Sequence, residues 1–188
     1  MTIQCSTKWP DKMGKLKGEQ TVFVPQILNS LYHNGLISAD EITDYERRYY
    51  EFTDLQFLCS ERRKPHTIRE DKTNRWYAGR DIHFKVWQRA PYHSDTFQFA
   101  PIIKCVSVQK IVIKYSPLLH REEKVQKVNV WIDGNLSSCF IRAGKIIDCS
   151  LTIERLARND GFQSVEHFLM WFNQNFSGNI IHWTDLKY

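Results

Sequence analysis

The chain has 188 residues, 42% of them hydrophobic and 13% aromatic, which is enough to bury a core without disulfides and too apolar for a disordered chain. Its net charge of +5 is a mild basic excess. That suits an anionic partner such as RNA or a nucleotide, and suits a solvated basic face equally well. No run approaches the roughly 18 apolar residues of a membrane span, so a membrane partner is not expected.

Residues 1–20 carry Lys8, Lys12, Lys15 and Lys17 with two glycines and read as a basic arm or surface loop. The opening "MTIQCSTKWPDKMGKLKG" has no apolar signal region. Five cysteines stand at 5, 59, 105, 139 and 149, an odd count with no CxxC pair. Free thiols in a reducing, cytoplasmic compartment are the expectation. A zinc site from Cys139, Cys149 and a histidine has no support from spacing, and no metal or cofactor is expected.

"TVFV" at 21–24 reads as a short strand, after which Pro25 opens a helix with Ile27, Leu28, Leu31 and Tyr32 on one face. Asn34-Gly35 stops it. Ser38 and Glu41 stand at capping-box spacing ahead of a second helix that ends near residue 53. Ile42, Tyr45, Tyr49 and Phe52 make an apolar stripe along it, read as packing unless exposed, when it would dock a protein partner.

From 81 to 132 the pattern is strand-like. "DIHFKVWQ" alternates, and "IIKCVSVQKIVIKY" alternates with a phase slip between Val108 and Ile111 that predicts a bulge. "KVNVWIDG" ends in the turn pair Asp133-Gly134, and "FIRAGKIIDC" adds a short strand pair. Helical spacing returns in "LTIERLARNDGF", ended near Gly161, and in "SVEHFLMWF" behind Ser164 as N-cap. "GNIIHWTDLKY" closes as a strand; His182, like His83, reads as a satisfied structural histidine. The order predicts an α+β fold with a mostly antiparallel sheet or small barrel, spanning 1–188.

Between the helices and the strands lies "RRKPHTIRED". It serves either as a solvated turn, with Arg69 paired to Glu70 or Asp71, or as a polar ligand site. Lys64-Pro-His-Thr67-Ile-Arg69, followed by Arg75-Trp76-Tyr-Ala-Gly79-Arg-Asp81, resembles the ASCH domain, a small PUA-like β-barrel. "LARNDGF" at 156–162, "SVEHF" at 164–168 and "IHWTDLKY" at 181–188 resemble the late elements of bacterial and phage-borne members. The resemblance covers nearly the whole chain, with a helical insertion at about 34–60.

The resemblance implies a nucleoside- or RNA-binding protein. Its activity would be that of an amidohydrolase removing the acyl group of N4-acetylcytidine. Lys64, Thr67 and Asp160 then fall on the catalytic positions. Asp160 stands where the family has a glutamate, one methylene shorter, so a base there sits about 1 Å further back. Arg69, His66, Trp76 and Arg75 become candidate ligand contacts: guanidinium forks for phosphate or a base edge, an imidazole for phosphate, an indole to stack on a base. Two alternatives stand beside this reading. One is a non-catalytic module for single-stranded RNA; the other is an interaction protein using the inserted helix.

Overall fold

A computed structural model describes residues 1–89, 91–116 and 125–188; the parts of the strand-like stretch at 90 and 117–124 lie outside them. The fold is mixed α+β, built on two sheets. β1 (Thr2–Cys5), β3 (Asp81–Trp87) and β4 (Thr96–Gln98) form the smaller one, with β5 (Ile103–Lys104) also paired to β3. The larger is antiparallel and curls into a half-barrel. Its order is β2 (His66–Arg69), β10 (Phe176–His182), β6 (Ser107–Tyr115), β7 (Val125–Ile132), β8 (Asn135–Arg142) and β9 (Lys145–Cys149).

The N-terminal segment is not an arm. Thr2–Cys5 pairs in parallel with β3, Ile3 facing Phe84 and Cys5 facing Val86 across the register. Ile3, Cys5, Trp9 and Met13 are buried. The lysines and glycines disguised a segment whose apolar residues follow no single period.

"TVFV" opens a helix rather than a strand: α1 runs Phe23–His33. Pro25 falls in its first turn, where its missing N–H loses no intrahelical bond. The Leu36 N–H bonds Leu31 O and the Gly35 N–H bonds Tyr32 O, with Gly35 at φ 67°, so a Schellman motif ends it. α2 (Ala39–Thr53) begins with the full Ser38–Glu41 capping box. Its stripe turns inward: Tyr49 is buried, Ile42 and Tyr45 pack on the same core, and Phe52 meets the Phe97 ring at 5.4 Å. A docking role for that stripe loses the exposure it needed.

β6 carries no bulge. Its pairing with β10 runs in unbroken register from Ser107–His182 to Ile113–Phe176. The apparent slip arises because Gln109 is buried with Ile111 and Ile113, while Val108 faces the other core. Gln109 is satisfied there, donating to Asp133 Oδ2 and Tyr188 O and accepting from the Tyr188 N–H, each at 3.0 Å. Both predicted hairpin turns form, with positive φ at Asp133-Gly134 and at Ala143-Gly144.

α3 (Leu151–Asn159) and α4 (Val165–Trp171) follow, N-capped by Ser150 and Ser164. They cover the larger sheet and enclose a core of Ile111, Val130, Ile153, Phe162 and Phe168. A second core lies between the smaller sheet and α1–α2, around Leu28, Phe84, Phe99 and Trp183. β10 separates the two, sending Ile180 to one and Ile181 to the other. Among the described residues, no helix is long and apolar enough to cross a membrane.

Candidate functional site

The predicted turn at 64–69 is a strand. β2 pairs with β10, Thr67 opposite Ile181 and Arg69 opposite Asn179. Lys64 sits just before it, its N–H bonded to Gln26 O of α1 at 3.0 Å. Asp160 caps the C-terminal end of α3, its N–H bonded to Leu156 O at 2.9 Å. Gly161 then turns the chain at φ 91°, and a Cβ there would lie 2.6 Å from Gln26 Oε1 and 2.9 Å from Phe23 Cδ1. Only glycine lets the end of α3 press this closely on α1.

That approach brings Lys64 and Asp160 together from 96 residues apart. Lys64 Nζ donates to both the carboxylate and the backbone carbonyl of Asp160. The two residues are 4% and 3% exposed. Burial pushes Lys64 down and Asp160 up, each toward its neutral form, and the opposite charge of the partner pulls each back. Asp160 also accepts from the Ile68 N–H, and the Lys64 ammonium lies 5.1 Å from the centre of the Phe23 ring.

Lys64, Thr67, Arg69 and Asp160 line one cleft of about 80 Å³, with Gln4, Ser6 and Phe23 among its walls. The Arg69 guanidinium bonds Gln4 O at 2.8 Å, not Glu70 or Asp71. Its Nε and the Gln4 Oε1 are buried without a hydrogen-bond partner among the described residues. Buried donors and acceptors of this kind are costly unless something satisfies them.

The other predicted contacts lie apart. His66 is fully buried, not an exposed loop histidine: its Nε2 meets Tyr188 Oη at 2.7 Å, and its Nδ1 lies 3.9 Å from Asp160 Oδ1. It stands behind the pair rather than in the cleft. Trp76 is buried in the core beneath the smaller sheet. Arg75 is exposed, and its N–H caps Asp71, which also accepts from the Trp76 N–H and Asn179. His182 is not satisfied as predicted. Neither ring nitrogen has a partner among the described residues, and burial lowers its pKa to about 4.

Several residues of the site were not singled out in the sequence. Tyr188 bridges His66 and Asn159, and only the His-Trp-Asp-Tyr content of the closing segment signals it. Gln4 and Phe23 carry no signal. Nor does a larger groove of about 450 Å³, lined by Lys8, Pro10, Leu55, Trp87, Arg89 and Pro91, which shares Cys5 and Ser6 with the cleft. Among the described residues no group of three or more His, Cys, Asp or Glu side chains could hold a metal ion. No family model, curated protein or solved structure matches the chain.

Proposed function

We propose that this is a nucleoside- or RNA-binding protein of the ASCH type, with removal of the acyl group of N4-acetylcytidine as its activity. The observation that carries the reading is the buried Lys64–Asp160 pair sharing one cleft with Thr67 and Arg69. The Thr67 hydroxyl would add to the acyl carbonyl carbon while its proton passes toward Asp160. Lys64 would steady the oxyanion, and as the bond from the acyl carbon to N4 breaks the proton would go to the departing exocyclic amine. Water would release the acyl group from Thr67 as a carboxylic acid, so that amide and water become amine and acid.

A cleft of about 80 Å³ is far below the roughly 300 Å³ at which drug-sized ligand pockets begin. It has room for the acyl end alone. The sugar and phosphate would lie in the adjoining groove, where Trp87 offers a stacking face and Lys8 and Arg89 offer cations.

The second reading, a binding module without chemistry, is favoured by one observation. Lys64 commits two donors to Asp160, one of them to its backbone carbonyl, which is how a lysine tethers a helix end.

The deciding experiment is incubation with N4-acetylcytidine, following release of cytidine, with Lys64→Ala and Thr67→Ala beside the natural chain. Turnover by the natural chain that both variants lose by about 100-fold or more, at a temperature where urea unfolding shows each still folded, supports the hydrolase. Absence of turnover at high enzyme, with salt-dependent RNA binding intact, refutes it in favour of the module.

A further inference from the structure

Two of the five cysteines lie outside the cleft and face each other. Cys139 on β8 and Cys149 on β9 are directly opposed across an antiparallel pair. The Ser150 N–H bonds Ser138 O at 3.0 Å, so 138 and 150 form a hydrogen-bonded pair. Alternation then makes Cys139 and Cys149 a non-hydrogen-bonded pair, the kind in which Cα atoms stand about 4.5 Å apart and side chains come closest. That lies inside the roughly 4.4–6.8 Å window a disulfide requires. The only irregularity of this pairing falls beyond them, between Phe140 and Ile141.

We propose that Cys139 and Cys149 are a redox modification site, closing as a cross-strand disulfide when a low-molecular-weight disulfide is present. Cys149 is partly exposed and Cys139 is buried, so access sets the order, although each thiol acts on the other to push Cys149 up and Cys139 down, which slows the first attack. The Cys149 thiolate attacks the small disulfide, forms a mixed disulfide and expels one thiolate. Cys139 then attacks the Cys149 sulfur and expels the second. Two protein thiols and one small disulfide become one protein disulfide and two small thiols, and the two protons pass to the expelled thiolates. β9 is an edge strand of the larger sheet, so the bond pins that edge to β8. Cys149 also lies directly ahead of Ser150, the N-cap of the helix that ends at Asp160.

The test is exposure of the folded protein to oxidised glutathione, followed by alkylation and a non-reducing peptide map. Cys59 is exposed, so its glutathione adduct reports that the oxidant acted. The expected result is one linked peptide pair containing Cys139 and Cys149, a loss of about 2 Da for the two thiol hydrogens, and a Tm raised by roughly 5–10 °C. Cys149→Ser abolishes the linked pair and the Tm rise. Free or singly glutathionylated Cys139 and Cys149, once Cys59 has fully reacted, overturns the proposal. So does a linked form that melts below the reduced one, because the bond would then be distorting the fold.

Discussion

Removing one partner of the Lys64–Asp160 pair leaves the other charge in a site with almost no water. Lys64→Met strands the Asp160 carboxylate with the Ile68 N–H and the charge of Arg69 as its remaining support. Asp160→Asn strands the Lys64 ammonium against a phenyl ring. Each single change should cost about 3–5 kcal/mol, the usual penalty for breaking a buried ion pair from one side. The double variant removes both charges and should recover much of this, ending within about 2 kcal/mol of the natural protein. The coupling energy of the cycle is then at least about 4 kcal/mol. Urea unfolding at pH 7, followed by tryptophan fluorescence with m-values compared across all four proteins, measures it. Singles that each cost less than about 1 kcal/mol, or losses that simply add, would refute the reasoning, because the pair would then be hydrated or unformed.

Further predictions concern the surroundings of the pair. Burial lowers His182 to about 4, so between that value and the unfolded value near 6.5 the unfolded chain holds a proton that the folded one lacks. Stability should therefore fall by up to about 3 kcal/mol as pH drops from 6.5 to 4, and buried His66 adds in the same direction. His182→Phe should flatten the slope of urea-unfolding free energy against pH, and an unchanged slope would count against the assignment. Gly161→Ala forces a Cβ toward Gln26 and Phe23 at positive φ. It should cost about 2 kcal/mol or more and lower any cytidine release or RNA affinity with it, read by urea unfolding beside the same assays. Ser38→Ala removes the cap of α2 and should cost about 1 kcal/mol in urea unfolding while leaving any RNA binding unchanged. Arg89→Ala should reduce the slope of log affinity against log salt for a single-stranded RNA by about 1, if phosphate lies in the larger groove.

The elements that could be read from the sequence are those set by neighbours a few residues apart. Ser38 and Glu41 satisfy each other within one turn, Asp133-Gly134 needs only its own backbone, and Ser164 caps the helix it precedes. What could not be read depends on partners far away. β1 is held by β3, about eighty residues further on, and local composition made it look like an arm. Gln109 broke the alternation of β6 because its buried amide answers Asp133 and Tyr188. The same holds at the site. Lys64 and Asp160 were singled out through a resemblance, and the fold does bring them together. Trp76 could be read as a stacking face or as packing, and His66 as a phosphate contact or an exposed loop residue, and burial took both inside. No period in the sequence distinguishes a tryptophan that stacks on a base from one that fills a core.

The chemistry available at the cleft turns on how Lys64 divides its three N–H donors. Two go to Asp160, which leaves one for a ligand, and the centre of the Phe23 ring lies 5.1 Å from the ammonium. A lysine needed only as a tether could be replaced by any side chain that fills the space and holds the helix end. A lysine that steadies an oxyanion could not. With the fold secured by the compensating Asp160→Asn, the double variant separates a pair that only tethers the helix from a pair that acts in the chemistry. If the double variant is stable and still binds RNA with the salt dependence of the natural protein, the cleft acts through its shape and through Arg69. If it is stable and loses only the turnover of an acylated cytidine, the pair acts in the chemistry, through the ammonium, through Asp160 as proton acceptor, or through both. Stability and function must therefore be measured on the same four proteins, because a loss of activity in Lys64→Met alone carries both effects at once.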